Sequence, residues 1–252
     1  MTLAALGVTL VGAAACSGDD DDDTAATSTT TTVADTTTTT GETTTTTTAT
    51  TTTGSPDTTV ASDVGEPFEL GPQPGDLLAV VGVAAGETLP LRAAPLTDAD
   101  VTAELEPTTT GLEATGDARI SDNTIWYEVS GDESGWAEAS QLAYIGLTDD
   151  ATAEVVDRLG ELPEAPSMDE LGVVVGEALA TEVGDTRVTV TVEASEGDLA
   201  EVTVDLTGLA DDAVGGYRLH LFARTTADGY GLDTVERTYL CSRGVTGAGL
   251  CV

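Results

Sequence analysis

Between Thr24 and Thr59 the sequence is mostly threonine, interrupted by scattered Ala, Asp, Gly and Ser and a single Pro. A stretch with so few apolar side chains cannot offset the entropy of ordering its backbone. The β-propensity of threonine does not help, because it operates only where side chains pack on neighbours. Ser17-Gly18 and the aspartates Asp19 to Asp23 precede this tract and add nothing apolar. Residues 17 to about 66 are therefore excluded from any core, and about 185 of the 252 residues remain. That is enough for one large or two small domains. The predicted role of the acidic, Thr-rich linker (16–66) is that of a disordered tether. Thr-rich stalks often carry O-linked sugars, which stiffen them. As a bare coil, about 50 residues span on the order of 40 Å root-mean-square, and the stretched limit is about 165 Å.

Charge narrows the partners. All eight basic residues are Arg, against 45 acidic residues, and the formal net charge is −37. Such a surface repels nucleic-acid phosphates and anionic lipid head groups. No nucleic-acid partner is expected, and attachment to a membrane would have to come from a lipid rather than from electrostatics.

The start of the chain suggests such a lipid. An apolar run from Thr2 to Ala15 ends in small residues, Gly12-Ala13-Ala14-Ala15, immediately before Cys16, and a polar tract follows. The run has about 14 residues, short of the roughly 20 that span a bilayer. This order resembles a bacterial lipoprotein signal. The resemblance implies removal of residues 1–15, lipidation of Cys16, and a location on the extracytoplasmic face of the cell membrane. Ala13 stands where that family usually has a large aliphatic residue, and Met1-Thr2-Leu3 lacks the basic residues of a secretory signal. With Cys16 acylated, Cys241 and Cys251 form an even set, as expected in an oxidising compartment. They flank a loop with glycines at 244, 247 and 249 that lets the chain turn back. A disulfide there is worth roughly 3 kcal/mol in the chain-entropy account. Two free thiols are the other reading. A zinc site is disfavoured, since two Cys with no nearby His supply too few ligands.

The first folded region, 77–146, reads as short strands separated by turns. Leu77 to Val83 is a buried strand, Thr88 to Arg92 alternates, and Val101, Leu105 and Leu112 to Gly116 suggest further strands. Thr124 to Val129 is rich in branched and aromatic residues, Trp136 resumes after a glycine turn, and Gln141 to Ile145 closes. Short strands over about 70 residues predict a small β-barrel. Leu89-Pro90-Leu91-Arg92-Ala93-Ala94-Pro95, Trp126-Tyr127-Glu128-Val129, Gly135-Trp136-Ala137 and Leu142 together resemble a bacterial SH3 (SH3b) domain. Pro90, Ala94 and Ala137 depart from its usual pattern. The resemblance implies an SH3-like barrel that binds cell-wall peptidoglycan, with Arg92, Trp126, Tyr127 and Trp136 as candidate ligand contacts. From residue chemistry alone, the two tryptophans are read as core and barrel-closure residues ahead of ligand contacts, and Arg92 as a salt-bridge partner ahead of a ligand contact.

The second region, 150–252, is predicted to be α+β. Asp149 to Gly160 reads as a short helix with acidic residues in its first turn and a terminal glycine. Ser167-Met168-Asp169-Glu170 is a capping box, followed by an apolar stripe of Leu171, Val174, Val175, Ala178 and Leu179. Strands are predicted over 187–192, 201–206, 217–222 and 233–240, each alternating so that one face is buried. One or two helices on an antiparallel sheet is the simplest arrangement. His220, the only histidine, is predicted on the polar face, and Asp211-Asp212 in a turn, with no calcium-loop spacing around it.

Enzyme chemistry finds little support. Zinc amidases need about two His ligands. Cysteine peptidases need a free Cys with a His. There is no Gly-x-Ser-x-Gly and no Lys for a dyad or Schiff base. Only carboxylate-based hydrolysis is left open by composition. The expectation is a non-enzymatic envelope protein without metal or cofactor that binds peptidoglycan. The alternative is a structural, solute-binding or partner-binding lipoprotein without wall affinity. The residues do not specify a protein partner for 150–252.

Overall fold

The computed structural model describes residues 64–180, 184–195, 197 and 199–252. The leader, Cys16 and the Thr-rich tract lie outside these residues. The described strands are β1 (Glu66–Pro67), β2 (Leu77–Val80), β3 (Leu89–Arg92), β4 (Val101–Leu105), β5 (Thr110–Ser121), β6 (Thr124–Ser130), β7 (Gly135–Glu138) and β8 (Leu142–Asp150). After β8 come α1 (Thr152–Leu159), β9 (Glu164–Ala165), α2 (Met168–Leu179), β10 (Arg187–Val192), β11 (Leu199–Thr207), β12 (Val214–Thr225) and β13 (Tyr230–Cys241). The fold is mainly β with two helices, built on antiparallel pairings throughout.

The strands join edge to edge in the order β10-β11-β12-β13-β8-β2-β5-β6-β7-β3-β4. This corrects the expectation of a closed barrel: the sheet is open, and β4 pairs only with β3. The cause lies in β8. Leu142 and Ala143 pair with β2, and Tyr144 to Asp150 then continue along β13. The last strand of the first region is thus the first neighbour of the second sheet, and it crosses the expected boundary near residue 146. The described residues belong to one compact unit.

Local chemistry explains the elements. Ser167 is extended and its Oγ accepts from the Glu170 N–H at 3.2 Å, capping α2. Gly160 ends α1 in the left-handed conformation, with φ 88°. Asp122 and Asn123 both hold positive φ in the tight turn between β5 and β6. On β11 and β12, Val202, Val204, Leu206, Leu219 and Leu221 are buried beneath Leu171, Val175 and Leu179 of α2. Gly172 and Gly176 let the helix approach closely. A Cβ on Gly172 would come within 2.7 Å of a Val204 methyl, and one on Gly176 within 2.7 Å of Val188.

The first region has its own core, around Leu78, Val80, Leu89, Leu91, Leu112, Val129 and Leu142. Cys241 of β13 is fully buried in that same core, with Tyr239 and Cys251 packed against it. A small cluster of Val81, Ala143 and Leu240 lies alongside. Cys241 is disulfide-bonded to Cys251, with Cα atoms 5.1 Å apart. The loop so closed is stitched to β8 by the Leu147 N–H, which donates to the Gly249 carbonyl at 2.7 Å.

Candidate functional site

β3, β6 and β7 set out the residues singled out from the SH3b-like motif. β7 pairs with both neighbours, so Trp136 lies opposite Arg92 on one side and Glu128 on the other, and Trp126 lies opposite Glu138. Both indoles are buried, Trp126 to 1% exposure and Trp136 to 2%. Neither offers a stacking face to solvent, and they are core residues in this fold. The Trp126 Nε1 donor has no hydrogen-bond partner. Arg92 donates from Nη1 to the Ala99 carbonyl at 2.9 Å and so braces the turn between β3 and β4. Tyr127 alternates to the face opposite Trp126 and is half-buried, and burial pushes its hydroxyl pKa up.

Of these four residues, Tyr127 lines a cleft of about 730 Å³ between the first region and the second sheet. One wall is Tyr127 with the corner from Glu138 to Gln141, and the other is Asp185, Arg187, Thr189 and Thr207. Strand alternation aims the second wall. Val188 and Val190 of β10 pack on the helix-side core, so Arg187 and Thr189 face away from it. Tyr144 also lines the cleft, with its hydroxyl donating to Asp76 at 2.9 Å. Burial, reinforced by that hydrogen bond, raises its pKa. Five of the eight arginines (158, 218, 224, 237 and 243) are ion-paired and Arg92 is bound to a carbonyl, while the side chains of Arg119 and Arg187 have no ion pair or hydrogen bond to another described residue. A second groove, about 810 Å³, is bordered by the exposed apolar residues Leu77, Ile145, Val245 and Val252.

Two charge networks brace the second sheet, one of them at the cleft's edge through Gly82, and neither was foreseen from the sequence. Asp205 has no exposed side-chain surface and is bound bidentately by Arg218, with Nε and one Nη each 2.8 Å from a carboxylate oxygen. Asp205 also accepts the Gly82 N–H at 2.9 Å, and Arg218 donates to the Val80 carbonyl at 2.8 Å. These bonds pin the loop after β2 to the far face of the second sheet. In the other network, Arg237 bridges Asp149 and Glu154 at 2.8 and 2.7 Å. Its guanidinium lies 5.0 and 4.9 Å from the Tyr217 and Tyr239 ring centroids. Arg158 extends this network from Glu154 to the carbonyls of Ala178 and Ala180 at the end of α2. The hydrogen bond from Arg237 holds the Asp149 carboxyl below its usual range. Burial opposes the same effect at Glu154, but hydrogen bonds from Arg237 and Arg158 outweigh it. The strand pattern placed Asp205 and Arg218 on a polar face, with nothing to indicate that the first region would cover it.

His220 lies on the face opposite Leu219 and Leu221. Its side chain is 38% exposed, 3.3 Å from Glu201 and against the Phe222 ring. Asp211 accepts from the Ala213 and Val214 N–H groups at 2.8 Å each, forming a side-chain-closed turn, and Asp212 pairs with Arg243. Among the described residues no cluster of three or more His, Cys, Asp or Glu is arranged to hold a metal. No helix among them is long and apolar enough to cross a membrane. No protein-family model matches the chain, and no curated protein or solved structure matches it significantly.

Proposed function

We propose that the protein is a lipid-anchored component of the cell envelope, held by lipid on Cys16 and extended by its Thr-rich tether. In this reading residues 77–146 are an SH3b-like module that has opened to share its last strand with the α+β region and that binds cell-wall peptidoglycan. The reading draws on the leader sequence, the acidic tether and a disulfide suited to an oxidising compartment. The observation that carries it is the cleft beside Tyr127, which joins a motif residue to a cavity of ligand size. The protein is strongly negative, so charge attraction to an anionic wall is unfavourable and is screened beyond about 10 Å at 0.1 M salt. Affinity then comes from shape and hydrogen bonds.

The test is co-sedimentation of residues 64–252 with purified cell wall at low and high salt. The whole described region is needed, because Cys241 and Tyr239 belong to the core of the first region. Binding that persists or strengthens with salt, and that Tyr127→Ala weakens, supports the reading. Absence of sedimentation at both salt levels rejects it in favour of a structural or solute-binding lipoprotein. One observation favours that second reading: Arg187, without a side-chain partner among the described residues, lies in a polar cleft and suits a small charged solute.

A further inference from the structure

We propose that the cleft between the Glu138–Gln141 corner and β10 binds a short, basic peptide of about dipeptide size with free termini. Three charged side chains line this one cavity: Glu138, Asp185 and Arg187. None of them has a side-chain hydrogen bond or ion pair to another described residue. Glu138 comes from one wall, and Asp185 and Arg187 from the other. Two carboxylates and one guanidinium are complemented by two ammonium groups and one carboxylate. A peptide with a free amino terminus, one amine-bearing side chain and a free carboxyl terminus carries that set. Arg187 offers the planar fork that binds a carboxylate bidentately. Glu138 and Asp185 accept from the two amines. Tyr127, half-buried on the first wall, supplies an amphipathic face for the side-chain methylenes, and Thr189 and Gln141 offer hydrogen bonds to the peptide unit. A volume of about 730 Å³ exceeds the needs of a single amino acid and lies within the range of small-ligand sites. The net negative charge of the protein favours a ligand with surplus positive charge. This proposal goes beyond the wall-binding reading and stands without it.

The experiment is calorimetric titration of the full chain with lysyl-alanine, norleucyl-alanine and lysyl-alaninamide. The second peptide lacks the side-chain amine and the third lacks the carboxylate. Lysyl-alanine is expected to bind, and each analogue to bind about tenfold more weakly, the loss expected from one charge-assisted hydrogen-bonded contact. Arg187→Gln should bind lysyl-alanine and its amide alike, while Glu138→Gln should narrow the preference for lysyl- over norleucyl-alanine. Arg187 is exposed, so its variant should keep the wild-type thermal transition. Should a variant fail to fold, the three-peptide comparison on the wild type decides alone. No binding of lysyl-alanine up to about 10 mM, or equal binding of all three peptides, overturns the proposal. Peptide binding without wall sedimentation supports the proposal and rejects the wall reading. Wall sedimentation with no peptide preference does the reverse.

Discussion

Arg218→Met should unsettle the whole described unit, because Arg218 ties the second sheet to Val80 of the first core. The substitution keeps much of the side-chain length and removes the only cation beside Asp205, whose side chain has no exposed surface. Breaking a buried ion pair by removing one partner costs about 3–5 kcal/mol, because the remaining charge stays desolvated. For a unit of this size each kcal/mol shifts the transition by about 2–4 °C, so Tm should fall by roughly 6–20 °C. Burial limits screening, so added salt should restore little of it. The companion variant Asp205→Leu frees the Gly82 N–H and leaves Arg218 with only its carbonyl contacts. Combining both substitutions removes the stranded charge, so the double variant should be more stable than the sum of the single losses by at least about 2 kcal/mol. Chemical denaturation of the four proteins completes the cycle. Hydrogen exchange at Gly82 adds a local readout, with faster exchange expected in both single variants. Additive losses, or a single-variant cost below about 1 kcal/mol, would refute the claim that this pair fastens the first region to the second sheet.

Other consequences are directly measurable. Reducing the Cys241–Cys251 bridge, or replacing both residues by Ser, should cost about 3 kcal/mol from the unfolded state alone, seen as a lower denaturation midpoint. The folded pKa values of Asp149 and Glu154 are depressed. Their contribution is therefore complete above the unfolded carboxyl value of about 4 and disappears as pH falls through the lower folded values; Arg237→Gln should flatten that acid limb in pH-dependent melts. Tyr144 and Tyr127 are shifted upward, so stability should decline as pH rises above about 10, where the unfolded phenols ionise, and Tyr144→Phe should reduce that decline. Gly172→Ala gains roughly 1 kcal/mol of helix propensity but drives a methyl into Val204, for a typical overpacking cost of about 1–3 kcal/mol; a higher Tm would show that the helix can move away. Cys16→Ser should release the protein into the medium in detergent partitioning, and unchanged membrane retention would remove the lipid anchor from the proposal.

The second region was largely legible because its signals are local. The Ser167 cap, the apolar stripe ending at Leu179 and the alternation of β10 to β13 each depend on neighbours within a few residues. Strand ends were less so: β12 extends from Val214 to Thr225, beyond the predicted 217–222, because pairing on both edges carries it past its apolar centre. The closed barrel failed for a non-local reason. Leu142-Ala143-Tyr144-Ile145 looks like a terminal strand, and nothing within it says that its continuation, Gly146 to Asp150, will pair with a strand some ninety residues later. The buried disulfide has the same character. Spacing suggested the Cys241–Cys251 loop, but only the fold places Cys241 in the core of the other region.

The cleft shows why the candidate site was harder to read than the fold. Arg92, Trp126, Tyr127 and Trp136 were grouped because one motif contains them, yet a two-residue period separates them by face. Trp126 and Trp136 are buried, Tyr127 lies on the other face of its strand half-buried against the first core, and Arg92 is occupied by the Ala99 carbonyl. The opposite wall of Tyr127's cavity comes from residues 185–208, and the polar face of β10 looked no different from any other solvated strand face. Arg187 lines the cleft with no side-chain partner among the described residues, in a protein where acidic residues outnumber arginines more than fivefold. Arg187 shares its cleft with Glu138 and Asp185, and none of the three side chains is paired with another described residue, so charge there is arranged across a gap rather than neutralised. Such an arrangement gains little from water-screened attraction. It suits a site better than a seam, and it identifies the cleft, rather than the buried tryptophans, as the place to look for a ligand.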